Sequence, residues 1–414
     1  MRMELSNIQK KKRLLTMIFG SFAIFFTGYP HIWSVYQPYV MEQAGWSQSQ
    51  TSMCFYLALC TFVFGNIIGG KIQNKYHSKL VVWIGGGVFA AGILASAFLI
   101  LPSPLPMYLT YGVMQGFGQG MLYAAVLATV QKWFPDRTGF ASGVVVTANG
   151  LCGFFLAPIS RKLLAAAGVS KTLLIIGIVI TISWILCGIF FENAPVSSTG
   201  SSARSAQRTS AWEQKQYTSA EMMRTKNFYL LLATMLFGLM SYFIVSPVSQ
   251  TYQIELGIPS AVAVSAVMAG SLVNAGARLV LPMLADKIGR VGCIRVVLIV
   301  SIIAMAVLAV SGSYAVTAAI IVMYGCYGGI MGNFPSFTSA IFGIKHTGEN
   351  YGFVMFGIVI ATIGAPVISS LVQQNGYGMN TAFGIGAGFA AAALVCLSIL
   401  GKNLAGPKAD GREQ

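Results

Sequence analysis

Ser265-Ala-Val-Met-Ala-Gly-Ser-Leu-Val-Asn-Ala-Gly-Ala-Arg-Leu-Val-Leu-Pro282 is the stretch on which the reading of this chain turns. It is apolar almost throughout and too long for the surface of a soluble domain, which makes it a membrane-spanning helix. Arg278 lies within it. A cation at the bilayer centre costs about 2.5–3.5 kcal/mol on insertion scales and is tolerated chiefly where it faces a cavity or a partner. No Asp or Glu occurs inside any apolar stretch of the chain, so the sequence supplies no carboxylate at that depth. The expectation is a binding site for a small anion.

Composition agrees. Charged residues are 9% of the chain and hydrophobic ones 56%, against about 25% charged in soluble domains. Such a chain cannot cover itself with polar surface, and lipid must be its main solvent. Apolar blocks recur at roughly 14–36, 51–70, 80–101, 107–131, 140–160, 172–191, 227–252, 261–284, 296–312, 315–342, 351–371 and 381–400. They run without the alternation of barrel strands and predict twelve transmembrane helices, an all-α polytopic fold.

The net charge of +15 would suit nucleic acid if it were clustered on a soluble face, but it follows the loops instead. With the N-terminus inside, all but four of the 26 lysines and arginines fall in cytoplasmic segments. The exceptions are Arg161, Lys162, Lys171 and Arg278. This positive-inside pattern predicts both termini in the cytoplasm, an inner (plasma) membrane location and contact with the lipid bilayer rather than nucleic acid. Lys10-Lys-Lys-Arg13 ahead of an apolar run resembles a secretory leader; with no small-x-small cleavage site it reads as a retained first helix. The seven cysteines are scattered singly, without metal-ligand spacing, and read as apolar filler. Neither a metal nor a cofactor is expected. The paired carboxylates or His/Cys groupings that an enzyme would need within the spans are missing, so no catalytic residue is assigned.

One long polar segment, Ser-rich between 197 and 210, divides the chain. The expected organisation is an N-terminal six-helix bundle over 1–191, a cytoplasmic linker over 192–226 and a C-terminal six-helix bundle over 227–414. The halves are related. Gly70-Lys-Ile-Gln-Asn-Lys-Tyr-His-Ser-Lys79 answers Pro282-Met-Leu-Ala-Asp-Lys-Ile-Gly-Arg290, and Asp136-Arg-Thr-Gly139 answers Glu349-Asn-Tyr-Gly352. The two separations, Asn74 to Asp286 and Asp136 to Glu349, agree to within one residue. A duplicated six-helix unit with a midplane site is the logic of secondary transporters.

With these features the chain resembles the major facilitator superfamily over its whole length. The superfamily's Gly-x-x-x-Asp-(Arg/Lys)-x-Gly-x-(Arg/Lys) loop is recognisable as Asp286-Lys287-Ile288-Gly289-Arg290, whereas the first-half copy has Asn74 in place of Asp and His77 in place of Gly. The resemblance implies that these loops, with Asp136 and Arg137, gate the cytoplasmic side, and that the first-half latch is the weaker one. Within the superfamily the chain is most similar to the oxalate/formate antiporter and monocarboxylate porter group. That judgement rests on Lys132-Trp-Phe-Pro-Asp-Arg-Thr-Gly-Phe-Ala-Ser-Gly143, Arg278, Asn333-Phe-Pro-Ser336 and Ile341-Phe-Gly343.

Candidate site residues follow. The planar fork of Arg278 suits bidentate recognition of a carboxylate. Asn274, one helical turn earlier, stands where animal monocarboxylate porters carry Asp; it cannot take a proton, but it can hold the guanidinium or bond a substrate hydroxyl. Asp286 lies two turns on and is too far away to pair with Arg278. His31, in Tyr29-Pro30-His31, occupies the register at which monocarboxylate porters place a lysine, and its charge changes near neutral pH, which makes it the candidate for proton coupling. Tyr123 lies eleven residues before Phe134, where the resembling family carries a site tyrosine. Tyr327 and Tyr36 are further candidates for the cavity wall. Oxalate-type members place a second basic residue at the position matching Ile358 here, and no Lys or Arg occurs between Lys345 and Lys402. One fixed cation suits a monoanion. The expectation is therefore a monomeric secondary transporter of lactate-, pyruvate- or formate-like anions, with a proton or a counter-anion as second partner. The alternative is a dicarboxylate/monocarboxylate exchanger of the oxalate:formate type. A ligand sensor without flux would need a signalling domain, which the linker and tails do not contain.

Overall fold

The computed structural model describes residues 7–100, 102–194, 215–312 and 314–405. The Ser-rich heart of the linker and the terminal basic residues Arg2, Lys408 and Arg412 lie outside them. The described residues form helices and turns, with no strand among them. The main helices are α1 (Asn7–Phe26), α2 (Trp33–Ala44), α3 (Gln48–Lys75), α4 (Ser78–Ser96), α5 (Gly116–Trp133), α6 (Thr138–Phe190), α7 (Lys226–Val245), α8 (Ser260–Ile288), α9 (Arg290–Val310), α10 (Ala315–Phe342), α11 (Thr347–Val354), α12 (Phe356–Gln374) and α13 (Met379–Ala405).

Eleven described helical stretches are long and apolar enough to cross a membrane. One of them, Pro135–Phe190, has 56 residues, about 84 Å of helix against a hydrocarbon core of about 30 Å. It is two crossings. The reversal falls at Gly168, whose φ of 76° and ψ of 177° are non-helical and open essentially to glycine alone. The fold is thus the expected twelve-helix, two-bundle one. The fifth crossing stays helical through Arg161 and Lys162 up to Gly168, so the connection there is tighter than the charges suggested.

The first crossing is broken. Between α1 and α2 lies the 3-10 turn Tyr29–Ile32. Pro30 has no N–H to offer the Phe26 carbonyl and disfavours helical backbone at Tyr29. The fourth crossing begins as a π-helix over Tyr108–Gln115 before it becomes α5. Two compact units result. The first runs to Tyr217 and takes in Phe342–Phe353, and the second holds Thr218–Ile341 and the chain from Val354 onward. Phe342–Phe353 is tied to the linker's end in the first unit: the Tyr217 N–H donates to the Phe342 carbonyl at 2.9 Å, and Asn350 Nδ2 donates to the Tyr217 carbonyl at 3.0 Å.

Packing inside the first unit rests on small residues. A Cβ at Gly69 would stand 2.8 Å from Met121 Cα, and one at Gly118 2.9 Å from Phe89 Cα, so α3, α4 and α5 approach almost backbone to backbone. In lipid that closeness supplies the van der Waals energy that apolar transfer does not. Gly112, Gly116, Gly118 and Gly120 all serve this packing, since a Cβ at each would stand less than 3.0 Å from a heavy atom of α3 or α4.

Candidate functional site

Arg278 is 3% exposed, on a helix whose Leu272, Val273, Val280 and Leu284 all face outward. Its side chain therefore turns to the protein interior. It lies ten residues before the end of α8, about 15 Å along the axis, farther than an arginine side chain reaches. Nε donates to Asn274 Oδ1 at 2.9 Å, so the amide one turn earlier orients the guanidinium plane without neutralising it. Asp286 pairs instead with Arg290, at 2.8 Å.

Aromatic rings wall this site. The guanidinium carbon lies 5.3 Å from the centre of the Tyr327 ring, within the range of a cation–π attraction. Tyr327 stacks on Tyr242 with centroids 4.1 Å apart and planes at 11°, and Tyr324 meets Tyr242 edge-on at 5.3 Å. Glycine permits the approach of α10. A Cβ at Gly332 would stand 2.7 Å from the Arg278 carbonyl oxygen, and one at Gly328 would sit 2.8 Å from Asn274 Oδ1. Ile358 is buried in α12 of the same unit. The arrangement brings a buried cation, an amide and a stack of phenols together.

In the first unit His31 is exposed and lies edge-on to Phe55, with ring centres 6.3 Å apart. It opens on a cleft of about 210 Å³ that also touches Ser34, Gln37 and Tyr56. Tyr123 is 2% exposed and meets Phe62 edge-on at 5.4 Å. Tyr36 is fully buried; its hydroxyl donates to Ser160 Oγ at 2.9 Å, and its ring lies 5.5 Å from that of Tyr29. Tyr36 is thus built into the unit's own aromatic core. Arg278, Asn274 and Tyr327 form one contiguous group in the second unit, while His31, Tyr36 and Tyr123 all belong to the first.

The sequence profile of the major facilitator superfamily matches residues 15–358. The chain belongs to the major facilitator superfamily. Among curated proteins this facilitator is 29% identical to the MFS-type transporter YhjX of Escherichia coli K12, over 86% of its own length and 87% of that protein. It is 27% identical to the oxalate:formate antiporter of Oxalobacter formigenes, over 86% and 84%. It is 30% identical to human monocarboxylate transporter 11 over 36% and 31%. Among solved structures it is similar to the fucose transporter FucP in its outward conformation, with a TM-score of 0.71 at 13% identity over 94% of this chain and 99% of that one. A bacterial homologue of ferroportin gives a TM-score of 0.72 at 15% identity, over 94% and 99%. At such identities these structures speak for the fold alone. The facilitator is a multi-pass integral membrane protein and a transporter rather than an enzyme.

The facilitator's two signature loops are built differently. After α8, Gly289 takes a φ of 90° and lets the chain turn so that Arg290 reaches back to Asp286; Arg290 Nε also donates to Ser336 Oγ at 3.4 Å. Lys287 points to solvent. After α3, Asn74 Nδ2 donates to Glu349 Oε2 at 3.4 Å, and Lys71 lies 4.0 Å from the same carboxylate. The acid missing from this loop is thus met by one from α11. Asp136 and Arg137 are exposed in the 3-10 turn Pro135–Arg137. Beside that turn the Arg13 guanidinium covers the Phe134 ring at 3.5 Å.

Two features escaped sequence reasoning. Tyr242, which backs Tyr327, lies in another helix at no signalled spacing. A chain of buried amides in the first unit, Gln115, Gln119 and Asn149 around Thr27, has the composition of ordinary helix–helix glue.

Proposed function

We propose that this transporter is a secondary carrier of small monocarboxylate anions, of the lactate, pyruvate or formate kind, working by alternating access with proton coupling. The observation that carries the reading is Arg278, buried in mid-helix with its Nε held by Asn274. The guanidinium receives the carboxylate, while Tyr327 and Tyr242 wall the substrate's carbon skeleton. Asn274 is a neutral partner, and the substrate's carboxylate binds at Arg278. Ile358 leaves one fixed cation where a dianion would want two, and the uncompensated Coulomb energy is several kcal/mol. His31 is the coupling group, and Tyr123 is a substrate-binding residue of the first unit. The loops carrying Asp286, Lys287 and Arg290, and Asp136 and Arg137, gate the cytoplasmic side. The carrier works as a monomer in the inner membrane with both termini in the cytoplasm.

Oxalate:formate-type exchange is the second reading, favoured by the full-length similarity to the Oxalobacter antiporter. Uptake of labelled lactate and of labelled oxalate into proteoliposomes, with and without an inward proton gradient, separates the two. Gradient-stimulated lactate uptake with oxalate inert is the expected result. Gradient-insensitive oxalate exchange would replace the first reading by the second.

A further inference from the structure

The break in the first crossing takes the helical donors from the carbonyls of Phe26 and Thr27, among others. The Phe26 carbonyl faces Pro30, which has no N–H. The Thr27 carbonyl would ordinarily receive the N–H of His31, four residues on, but that N–H goes to Gly28 at 3.1 Å instead. The vacated place at Thr27 is filled from α5, where Gln119 Nε2 donates to the Thr27 carbonyl in a close, buried contact. Gln115 Nε2 donates to Gln119 Oε1 at 2.6 Å, which orients the second amide so that its NH2 faces Thr27. Asn149 Nδ2 holds Thr27 Oγ1 at 3.0 Å. Gln115 and Gln119 are 0% and 4% exposed, so each bond is made away from bulk water, where an unmet carbonyl is expensive.

We propose that Gln119 is a positioning residue for His31: it competes with the N–H of His31 for one carbonyl and so keeps the helix open at Thr27–Gly28. If Gln119 lets go, the strongest nearby donor for the Thr27 carbonyl is the His31 N–H. Capturing it rewinds that turn and moves the imidazole. Around His31 the ring of Phe55 and the cleft form the near surroundings. Tyr56 is the other titratable group lining that cleft, which no Asp, Glu, Lys or Arg lines among the described residues. The proposal rests on the reading of His31 as the coupling group.

The test compares gradient-driven lactate uptake with gradient-free lactate exchange in the full-length protein. Gln119→Leu is expected to lower the gradient-driven rate about tenfold, the effect of one lost buried donor, and to leave exchange within about twofold. In a His31→Gln background the same change should add nothing. Asn149→Ala, which leaves the Gln119 contact in place, should show the same selectivity more weakly and serves if Gln119→Leu does not fold. Equal loss of both rates would mean that Gln119 only supports packing, and would overturn the proposal. So would an undiminished gradient-driven rate. Full gradient stimulation in His31→Gln alone would defeat the coupling role of His31, and the proposal with it, while leaving the carboxylate reading intact.

Discussion

The two bundles bury polar chemistry of different kinds. In the second unit a full positive charge sits in mid-helix, oriented by one amide and faced by a phenol stack. In the first unit a buried cluster of neutral groups, Gln115, Gln119, Asn149 and Thr27, is arranged around a break in the helix. The difference follows from what each group needs in a medium of low dielectric. A buried cation must be paired or face a cavity. Amides are satisfied by one another and by backbone carbonyls, which suits the control of backbone shape. On the proposed reading, one half holds the anion and the other holds a conformation.

Arg278→Lys attacks the charged side of this contrast most directly. It keeps the charge and loses the planar fork, so kcat/KM for lactate should fall about thirtyfold, equivalent to about 2 kcal/mol of bidentate hydrogen bonding. Wild-type kinetics in that variant would remove the carboxylate clamp from the account. Ile358→Lys sharpens the contrast by giving the second unit another cation. The ratio of oxalate to lactate uptake should rise about tenfold, and an unchanged ratio would mean that position 358 does not face the substrate. The smallest effect is expected at the loops. Asn74→Asp would set a second carboxylate against Glu349 beside a partly exposed lysine, so turnover in the uptake assay should slow by about twofold to threefold. Turnover at or above the wild-type rate would show that the grip on Glu349 does not limit the cycle.

Much of the fold was legible because lipid enforces it. Twelve apolar blocks, a basic bias between them and an internal repeat followed from hydropathy and charge, and Gly168 divides the 53-residue helix α6 where two separate blocks had been read. The break at Thr27–Gly28 was half visible: Pro30 marked it, while the donors that stabilise it lie about ninety and about a hundred and twenty residues away, in contacts with |i−j| of 92 and 122. Arg278 and Asn274 could be read as a pair from helical spacing alone, and the bond between them is there. Tyr36 could not be told from a cavity residue, because an interior tyrosine and a site tyrosine look alike until the partner of the hydroxyl is known. Here that partner is Ser160. The replacement of Asp by Asn74 suggested a weaker latch; the carboxylate that compensates lies in α11.

The sequence by itself determined the solvent, the number of crossings and the buried cation, since each follows from energies of several kcal/mol that local sequence cannot evade in a bilayer. Tertiary structure alone decided which amide meets which carbonyl, which tyrosine backs Tyr327 and which acid serves the first-half loop. Each such bond is worth about 1 kcal/mol on its own. Its partner is selected by the packing of distant helices, which no local pattern of residues encodes.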